Sequence, residues 1–213
     1  TGPYNVESIS EEDGMRNGPD YSGATIFYPE NAEPPFASII IVPGYATLES
    51  TIHNWGPFFA SHGIVTMTIG TNSIFDQPED RKDALLDALV TLKDENTRVS
   101  SPLYNSIDTN RYALGGWSMG GGGAQLAAVA DTSSSLKAII AMCPWLNTLT
   151  LSSSDLNHDS PVLILSGQID AISPPGLHAN VHYNLTPQST DKLIYEIALT
   201  SHLVANGPEG GDG

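Results

Sequence analysis

Short apolar runs alternate with amphipathic segments along most of the chain, and this alternation predicts the fold class. Four short runs are mostly apolar and rich in β-branched residues, which is typical of parallel strands that are covered on both faces. These runs are 38–42, 64–69, 138–142 and 162–165. Between them, apolar residues recur at helical spacing, most clearly from Asp80 to Asn96, where the charged residues fall on the opposite side. The pattern indicates an α/β protein with a mostly parallel central sheet and helices on both faces.

The remaining elements are shorter but follow the same order. Further strands are predicted at Tyr4–Ser10, Ala24–Tyr28, Tyr112–Leu114 and Lys192–Ile197, and further helices at Trp55–His62, Met119–Ala130 and Gly176–Asn184. Neither an internal repeat nor a second domain boundary is visible in the sequence. We therefore expect a single domain over residues 1–213, with flexible ends at 1–3 and 207–213.

The segment from Tyr112 to Ala130 predicts a nucleophile elbow. A short strand leads into Gly116-Trp117-Ser118-Met119-Gly120, which fits Gly-x-Ser-x-Gly, and an alanine-rich helix follows. Glycines are needed on both sides of the serine because the strand and helix backbones nearly touch there. Ser118 is the predicted nucleophile, and the Met119 backbone N–H is a predicted oxyanion donor. The alternative is a glycine-rich turn that contains a serine by chance.

A serine hydroxyl needs a histidine to take its proton and an acid to orient that histidine. In a parallel sheet, ligands bind beyond the carboxyl ends of the strands, so these partners belong in the loops that follow strands. Asp170 follows the strand at 162–165, and His202 follows the strand at 192–197. Their order after the serine is the one that the elbow motif requires. A turn-capping Asp170 and a surface His202 are the alternatives.

Other reactive side chains are less well placed. His158 precedes a strand and so belongs to the opposite edge of the sheet. His178 and His182 lie one turn apart on a predicted helix; a solvated helix face is favoured over a metal site, because a third ligand is not evident. Cys143, the single cysteine, lies in an apolar run and is interpreted as a small buried hydrophobe rather than a nucleophile or ligand. We expect neither a metal nor a cofactor.

Aromatic and apolar residues at the same edge predict a substrate cleft. The turn Pro43-Gly44-Tyr45 ends a buried strand, so the Tyr45 backbone N–H is the predicted second oxyanion donor and its ring is expected beside the ester. Trp145 follows another strand, where it fits either an aromatic clamp for a bulky acyl group or ordinary core packing. Ile172, in the loop after Asp170, is the third predicted substrate-binding residue.

Composition limits the partners of the chain. Its 24 acidic and 8 basic residues give a net charge of −16. A nucleic-acid partner is therefore excluded, because phosphate contacts need lysine and arginine. With no run approaching ~20 apolar residues, a membrane span is not expected either. We expect a monomer, with a dimer as the alternative, secreted as a mature form whose signal peptide has been removed; a cytoplasmic protein is the alternative.

Taken together, these residues resemble the bacterial polyester hydrolases of the cutinase and PET hydrolase (PETase-like) family, in the α/β-hydrolase superfamily. The matching segments are Gly23–Pro29, Ile41–Tyr45, Trp55–Pro57, Ser61–Gly63, Thr71–Ser73, Asp76–Pro78, Gly116–Gly123, Ala138–Trp145 and Ser201–His202 with Ala205–Asn206. The resemblance implies Ser118 as nucleophile, His202 as base and Asp170 as orienting acid. It also implies that Tyr45 and Met119 donate to the oxyanion and that Trp145 clamps the substrate ring.

The chain departs from the family pattern near its C-terminus. Family members usually carry a disulfide there, which a lone Cys143 forbids, and a long helix, which residues 206–213 cannot form. We expect an α/β-hydrolase fold lacking the usual C-terminal helix. The expected function is that of a serine esterase acting on polyesters and short-chain acyl esters. The alternatives are a carboxylesterase or lipase for soluble substrates, and a binding module that has lost turnover with the helix.

Overall fold

Eight strands form one continuous sheet among residues 2–211, the part of the chain that the computed structural model describes. The strands are β1 Val6–Ser10, β2 Ala24–Pro29, β3 Phe36–Val42, β4 Val65–Ile69, β5 Ile107–Trp117, β6 Leu136–Met142, β7 Val162–Gly167 and β8 Lys192–Ile197. The helices are α1 Trp55–Ser61, α2 Pro78–Thr97, α3 Met119–Ala130 and α4 Ala179–Leu185. The predicted α/β class is confirmed.

The sheet is parallel except at one edge. Its order is β1-β2-β4-β3-β5-β6-β7-β8, in which β1 and β2 run antiparallel to their neighbours and β3 to β8 run parallel to one another. Helical crossovers connect most of the parallel strands, as such a sheet requires. All carboxyl ends of β3 to β8 therefore face the same edge, where the loops that carry the predicted site residues begin.

Two hydrophobic layers cover the two faces of the sheet. The larger layer lies under α2, α3 and α4, and its strand residues include the fully buried Ile26, Ile40, Met67 and Leu114. Full burial of one such side chain contributes ~1.5–3 kcal/mol relative to exposure. The smaller layer packs on the α1 side around Ile41. Because β-branched residues fill both faces of β3, this strand lies in the centre of the sheet, as its apolar run predicts.

The helix and strand boundaries differ from the predictions at a few ends. Strand β5 begins at Ile107 rather than Tyr112. Residues 108–111 are polar, so a search for apolar runs does not detect this part of the strand. Helix α2 begins at Pro78, where the Gln77 N–H donates to the Asp80 carboxylate at 2.8 Å in a capping box. Flexibility of 1–3 and 207–213 stays a prediction; of these residues, Thr1, Asp212 and Gly213 lie outside the described part.

After β8 the described chain contains no α-helix, as expected from its sequence. It forms a 3-10 turn at His202–Ala205 and then turns as far as Gly211. On the sheet face that carries α1, the side chains of Leu193 and Tyr195 are 60% and 59% exposed. Over residues 2–211, none of the helices has the length and apolarity that crossing a membrane demands.

Candidate active site

Ser118 lies on a strained turn between β5 and α3. Its backbone angles are φ 57° and ψ −121°, in a region that non-glycine residues rarely adopt. A Cβ on Gly116 would lie 2.3 Å from the Gly120 carbonyl oxygen, and a Cβ on Gly120 would lie 2.4 Å from the Val42 carbonyl oxygen. Only glycine fits at both flanks, so the geometry is that of the nucleophile elbow that the motif predicts.

The backbone of Ser118 also fixes the position of the predicted aromatic clamp. Its N–H donates to the Met142 carbonyl at 2.8 Å, and its own carbonyl accepts the Trp145 N–H at 2.9 Å. The end of β6 is thereby bonded to both sides of the elbow. Trp145 is half-buried, and its ring stacks on the His178 imidazole with ring centroids 5.9 Å apart. The predicted clamp thus lies directly beside the elbow.

Asp170 and His202 form a buried pair at the carboxyl ends of β7 and β8. His202 Nδ1 lies 2.6 Å from Asp170 Oδ2, and the two residues are 4% and 3% exposed. The other carboxylate oxygen accepts the N–H groups of Ile172 and Ser173, each at 2.8 Å. Burial opposes ionisation of Asp170, but the hydrogen bonds from His202 and the two amides outweigh it and lower the pKa of the carboxyl group.

An ionised Asp170 accepts a hydrogen bond from the Nδ1–H group of His202, which leaves Nε2 of the neutral imidazole unprotonated and able to act as a base. The backbone of His202 is anchored to the elbow by Trp117, the residue before the serine. The Trp117 indole N–H donates to the His202 carbonyl at 2.9 Å, and the two ring centroids lie 5.0 Å apart. The structure therefore joins Asp170 to His202 and holds His202 against the elbow. A hydrogen bond between the Ser118 hydroxyl and Nε2 stays a prediction.

The turn that carries Tyr45 passes directly over Ser118. A Cβ on Gly44 would lie 2.8 Å from the Ser118 Cβ, so the glycine allows the two backbones to approach. The turn is closed by a bond from the Thr47 hydroxyl to the Gly44 carbonyl at 2.8 Å. The Tyr45 and Met119 N–H groups thus come from the two segments that border Ser118. Their role as oxyanion donors stays a prediction.

Exposed apolar side chains surround this edge of the sheet. Tyr45 is 46% exposed and Ile172 is 63% exposed. Their contact with a substrate stays a prediction. Phe75, which the sequence reasoning missed, is 56% exposed, and its ring centroid lies 5.5 Å from that of Tyr45. An aromatic residue in the mostly polar stretch 71–77, where Ile74 is the other apolar residue, is the signal that could have identified it.

The structure corrects the interpretation of His178 and His182 as a solvated helix face. They are 9% and 0% exposed, because the short helix α4 turns this side toward the sheet. Burial lowers the pKa of His182 to about 3. Cys143 is 1% exposed, which confirms its burial. Its Sγ lies with ligand atoms of Asp170 and His202 inside a group whose members are all within 4.8 Å of one another, so a thiol borders the pair.

Comparison with known proteins finds similarity to cutinases and PET hydrolase-like proteins over nearly the whole chain. A model of the family described as PET hydrolase-like matches residues 1–210. Cutinase est1 of Thermobifida alba is 38% identical over 207 residues, which cover 97% of this chain and 66% of the relative. Cutinase 2 of Thermobifida cellulosilytica is 35% identical, with coverages of 98% and 75%. A bis(hydroxyethyl) terephthalate hydrolase of Streptomyces coelicolor is 35% identical, with coverages of 96% and 62%. The chain spans just under two thirds of the length of the first of these relatives.

Proposed function

The chain belongs to the PET hydrolase-like family, and we propose that it is a serine carboxylic ester hydrolase that acts on polyesters and on short-chain acyl esters. One observation carries the proposal: a buried acid–imidazole pair with a separation of 2.6 Å is held against a strained serine turn. This is the arrangement that activates a serine hydroxyl at neutral pH. The names of the relatives, cutinase and bis(hydroxyethyl) terephthalate hydrolase, agree with an ester substrate.

In the first half of the proposed reaction, the Ser118 hydroxyl oxygen attacks the ester carbonyl carbon while His202 Nε2 takes its proton. Asp170 keeps the imidazole in the required tautomer and stabilises the imidazolium that forms. The negative charge on the former carbonyl oxygen is met by the N–H groups of Tyr45 and Met119, and one such donor contributes on the order of 10²–10³ in rate. When the intermediate collapses, His202 returns the proton to the departing alcohol, and an acyl-enzyme remains.

In the second half, water replaces the alcohol. His202 takes a proton from the water as it attacks the acyl carbonyl carbon, and the same two N–H groups meet the second oxyanion. Collapse breaks the bond to the Ser118 oxygen, His202 returns the proton to that oxygen, and the carboxylic acid leaves. Each atom of the ester and of water is thereby accounted for, and the enzyme is restored.

A polyester suits the aromatic surroundings of the site. The Trp145 ring stacked on His178 and the exposed Tyr45–Phe75 pair offer flat apolar surfaces on which an aromatic acyl unit can lie. The exposed Ile172 extends this apolar surface at the rim. We include in the proposal that the chain works as a secreted monomer, because an insoluble polymer must be met outside the cell.

Replacement of Ser118 by alanine tests the proposal. We expect esterase activity of the folded variant to fall to background, because the attacking oxygen is lost, while the melting temperature changes little. The measurements are p-nitrophenyl butyrate hydrolysis, release of aromatic acids from a polyester film, and labelling by a fluorophosphonate probe. A Ser154→Ala variant, altered at an exposed serine in the stretch 153–156, serves as the matched control.

The three readouts separate the competing functions. Labelling of Ser118 together with film hydrolysis supports the proposal. Labelling with hydrolysis of the soluble ester alone indicates a carboxylesterase or lipase for soluble substrates. A folded wild-type chain that neither reacts with the probe nor hydrolyses either ester would be a binding module, and the proposal would be wrong.

A further inference from the structure

Arg81 in α2 is a fully buried guanidinium whose hydrogen bonds go to two backbone carbonyls. It is 0% exposed; its Nη1 donates to the Pro43 carbonyl at 2.9 Å and its Nη2 donates to the Ile74 carbonyl at 3.2 Å. Burial lowers the pKa of the guanidinium to about 10, so the group stays charged at neutral pH. A buried charge is costly unless its partners compensate it. The two carbonyls are the partners that compensate this buried charge, so Arg81 and the backbone segments that carry them are held together.

One of the two carbonyls begins the turn that carries Tyr45, and the other accepts a hydrogen bond from the end of that turn. Pro43 directly precedes Gly44, so Arg81 holds the entrance of the turn. The Ile74 carbonyl also accepts the Ala46 N–H at 2.7 Å, so Arg81 holds the exit of the turn through a shared acceptor. The Tyr45 N–H lies between these two fixed points. Ala46 itself has a φ of 57°, which shows that the exit is held in a conformation that alanine rarely adopts.

The same arginine touches the elbow helix. A Cβ on Gly123 in α3 would lie 2.9 Å from the Arg81 Cβ, so the two helices are in close contact at this level. Gly123 lies one turn after Met119, whose N–H is the other proposed oxyanion donor. Arg81 is therefore packed between the two segments that supply the oxyanion hole.

We propose that Arg81 is a positioning residue that sets the Tyr45 backbone N–H at the distance the oxyanion requires. The inference rests on the proposed esterase function. Arginine is suited to this task because its planar fork offers donors in two fixed directions, whereas lysine is a single point charge. Displacement of the Tyr45 donor weakens an interaction that forms fully only in the transition state, so the loss belongs in kcat and not in KM.

Arg81→Lys, which retains the positive charge but loses the fork, tests the role. Hydrolysis of p-nitrophenyl butyrate is compared with that of its thiono analogue, whose sulfur accepts hydrogen bonds poorly and gains little from the oxyanion hole. We expect kcat for the oxygen ester to fall by at least about 10-fold. The fall should be smaller than the roughly 10²- to 10³-fold fall that follows complete loss of one oxyanion donor. KM should stay within about two-fold, and the ratio of oxygen-ester to thiono-ester rates should fall, since only the former depends on the donor.

Arg111→Lys is the matched control, because this guanidinium also donates to a backbone carbonyl, that of Pro35 at 3.2 Å, but lies in the exposed first half of β5. Its kinetic constants and rate ratio should equal those of the wild type. Rates are expressed per mole of folded protein, counted by near-ultraviolet circular dichroism. If Arg81→Lys does not fold, Arg81→Gln, which keeps one neutral donor, takes its place with the same expectation.

The outcomes separate the two proposals. A wild-type chain without activity on either ester overturns the esterase function itself. An active wild type with an unchanged rate ratio in the Arg81 variants overturns the positioning role alone. An equal fall for both esters, with a lower melting temperature, would likewise overturn it, because a purely structural arginine acts on both substrates alike.

Discussion

Asp170 uses its two carboxylate oxygens for different purposes. Oδ2 binds the His202 imidazole, and Oδ1 binds the N–H groups of Ile172 and Ser173. The amides fix the orientation of the carboxylate, so the imidazole meets an acceptor that does not rotate. The same amide bonds fix the backbone at Ile172, the predicted substrate-binding residue. In the proposed function, the orientation of the base and the position of this residue therefore depend on one side chain.

Replacement of Phe75 by alanine should affect the polymer more than the soluble ester. The Phe75 and Tyr45 rings lie 5.5 Å apart and are both exposed, so a substrate ring that packs there would lose one of its two partners. An aromatic contact of this kind is worth ~0.5–1.5 kcal/mol, which corresponds to about 2- to 12-fold. We expect hydrolysis of an aromatic polyester film to fall by that factor, while kcat/KM for p-nitrophenyl butyrate changes less than about two-fold.

Val99→Ala is the control for that experiment, because Val99 is also a large exposed apolar residue but follows the far end of α2. It should leave both activities unchanged. If Phe75→Ala lowers film and soluble-ester hydrolysis equally, Phe75 supports the loop and does not contact the polymer.

At the scale of elements, the elbow depends on contact between two backbones and not on side-chain packing. A Cβ on Gly120 would lie 2.4 Å from the Val42 carbonyl oxygen and 2.6 Å from the Pro43 carbonyl oxygen. Neither oxygen belongs to a flexible side chain, so the start of α3 would have to move away from β3. The elbow and the Tyr45 turn therefore share one interface, which Gly120 keeps close.

Gly120→Ala should therefore lower both stability and activity. Overpacking of this kind costs ~1–3 kcal/mol or more, and displacement of α3 moves Met119 and Ser118 together. We expect a fall of the melting temperature by several degrees and slower fluorophosphonate labelling of the folded fraction. Gly176→Ala is the matched control, because a Cβ there meets no atom within 4 Å. Equal melting temperatures for the two variants would contradict the close backbone contact.

The sequence predicts the residues of the candidate site better than it predicts Arg81, which contacts the backbone around that site. Serine, acid and base follow from strand order, because loops after parallel strands converge at one edge, and Asp170 and His202 indeed meet there. Arg81 could not be recognised, since it lies in the charged stretch Glu79–Asp83 and the pattern places it with the solvent-facing charges. Its burial results from loops that come from elsewhere in the chain. Such long-range contacts leave no local periodicity.

At the scale of the whole molecule, several of the few basic side chains are held in ion pairs with partly or fully buried carboxylates. Arg16 is bonded to Asp87 at 2.5 Å and to the Thr91 hydroxyl at 2.7 Å, which ties the segment before β2 to α2. Arg98 is similarly bonded to the buried Glu95 at 2.6 Å. Each of these pairs holds one positive and one negative charge, so the net charge of −16 is carried by the remaining side chains.

Buried histidines make the stability of the molecule depend on pH. Burial lowers the pKa of His158, His178 and His182, the last to about 3 from an ordinary value of 6.5. Between these two values the unfolded chain binds a proton that the folded chain does not. Stability present above pH 6.5 is therefore lost as the pH falls toward 3, at up to ~1.4 kcal/mol per pH unit for one histidine.

His182→Leu should make this loss smaller, since leucine cannot take up a proton and neither ring nitrogen of His182 has a hydrogen-bond partner among the described residues. From urea unfolding at about pH 7.5 and pH 5, we expect the variant to lose ~2 kcal/mol less stability than the wild type. His62→Gln, at an exposed position, should lose as much as the wild type. Equal losses of stability in all three proteins would contradict this prediction, because a buried neutral His182 must contribute in this pH range. The acid sensitivity of the fold would then lie in its carboxylates or in the other buried histidines.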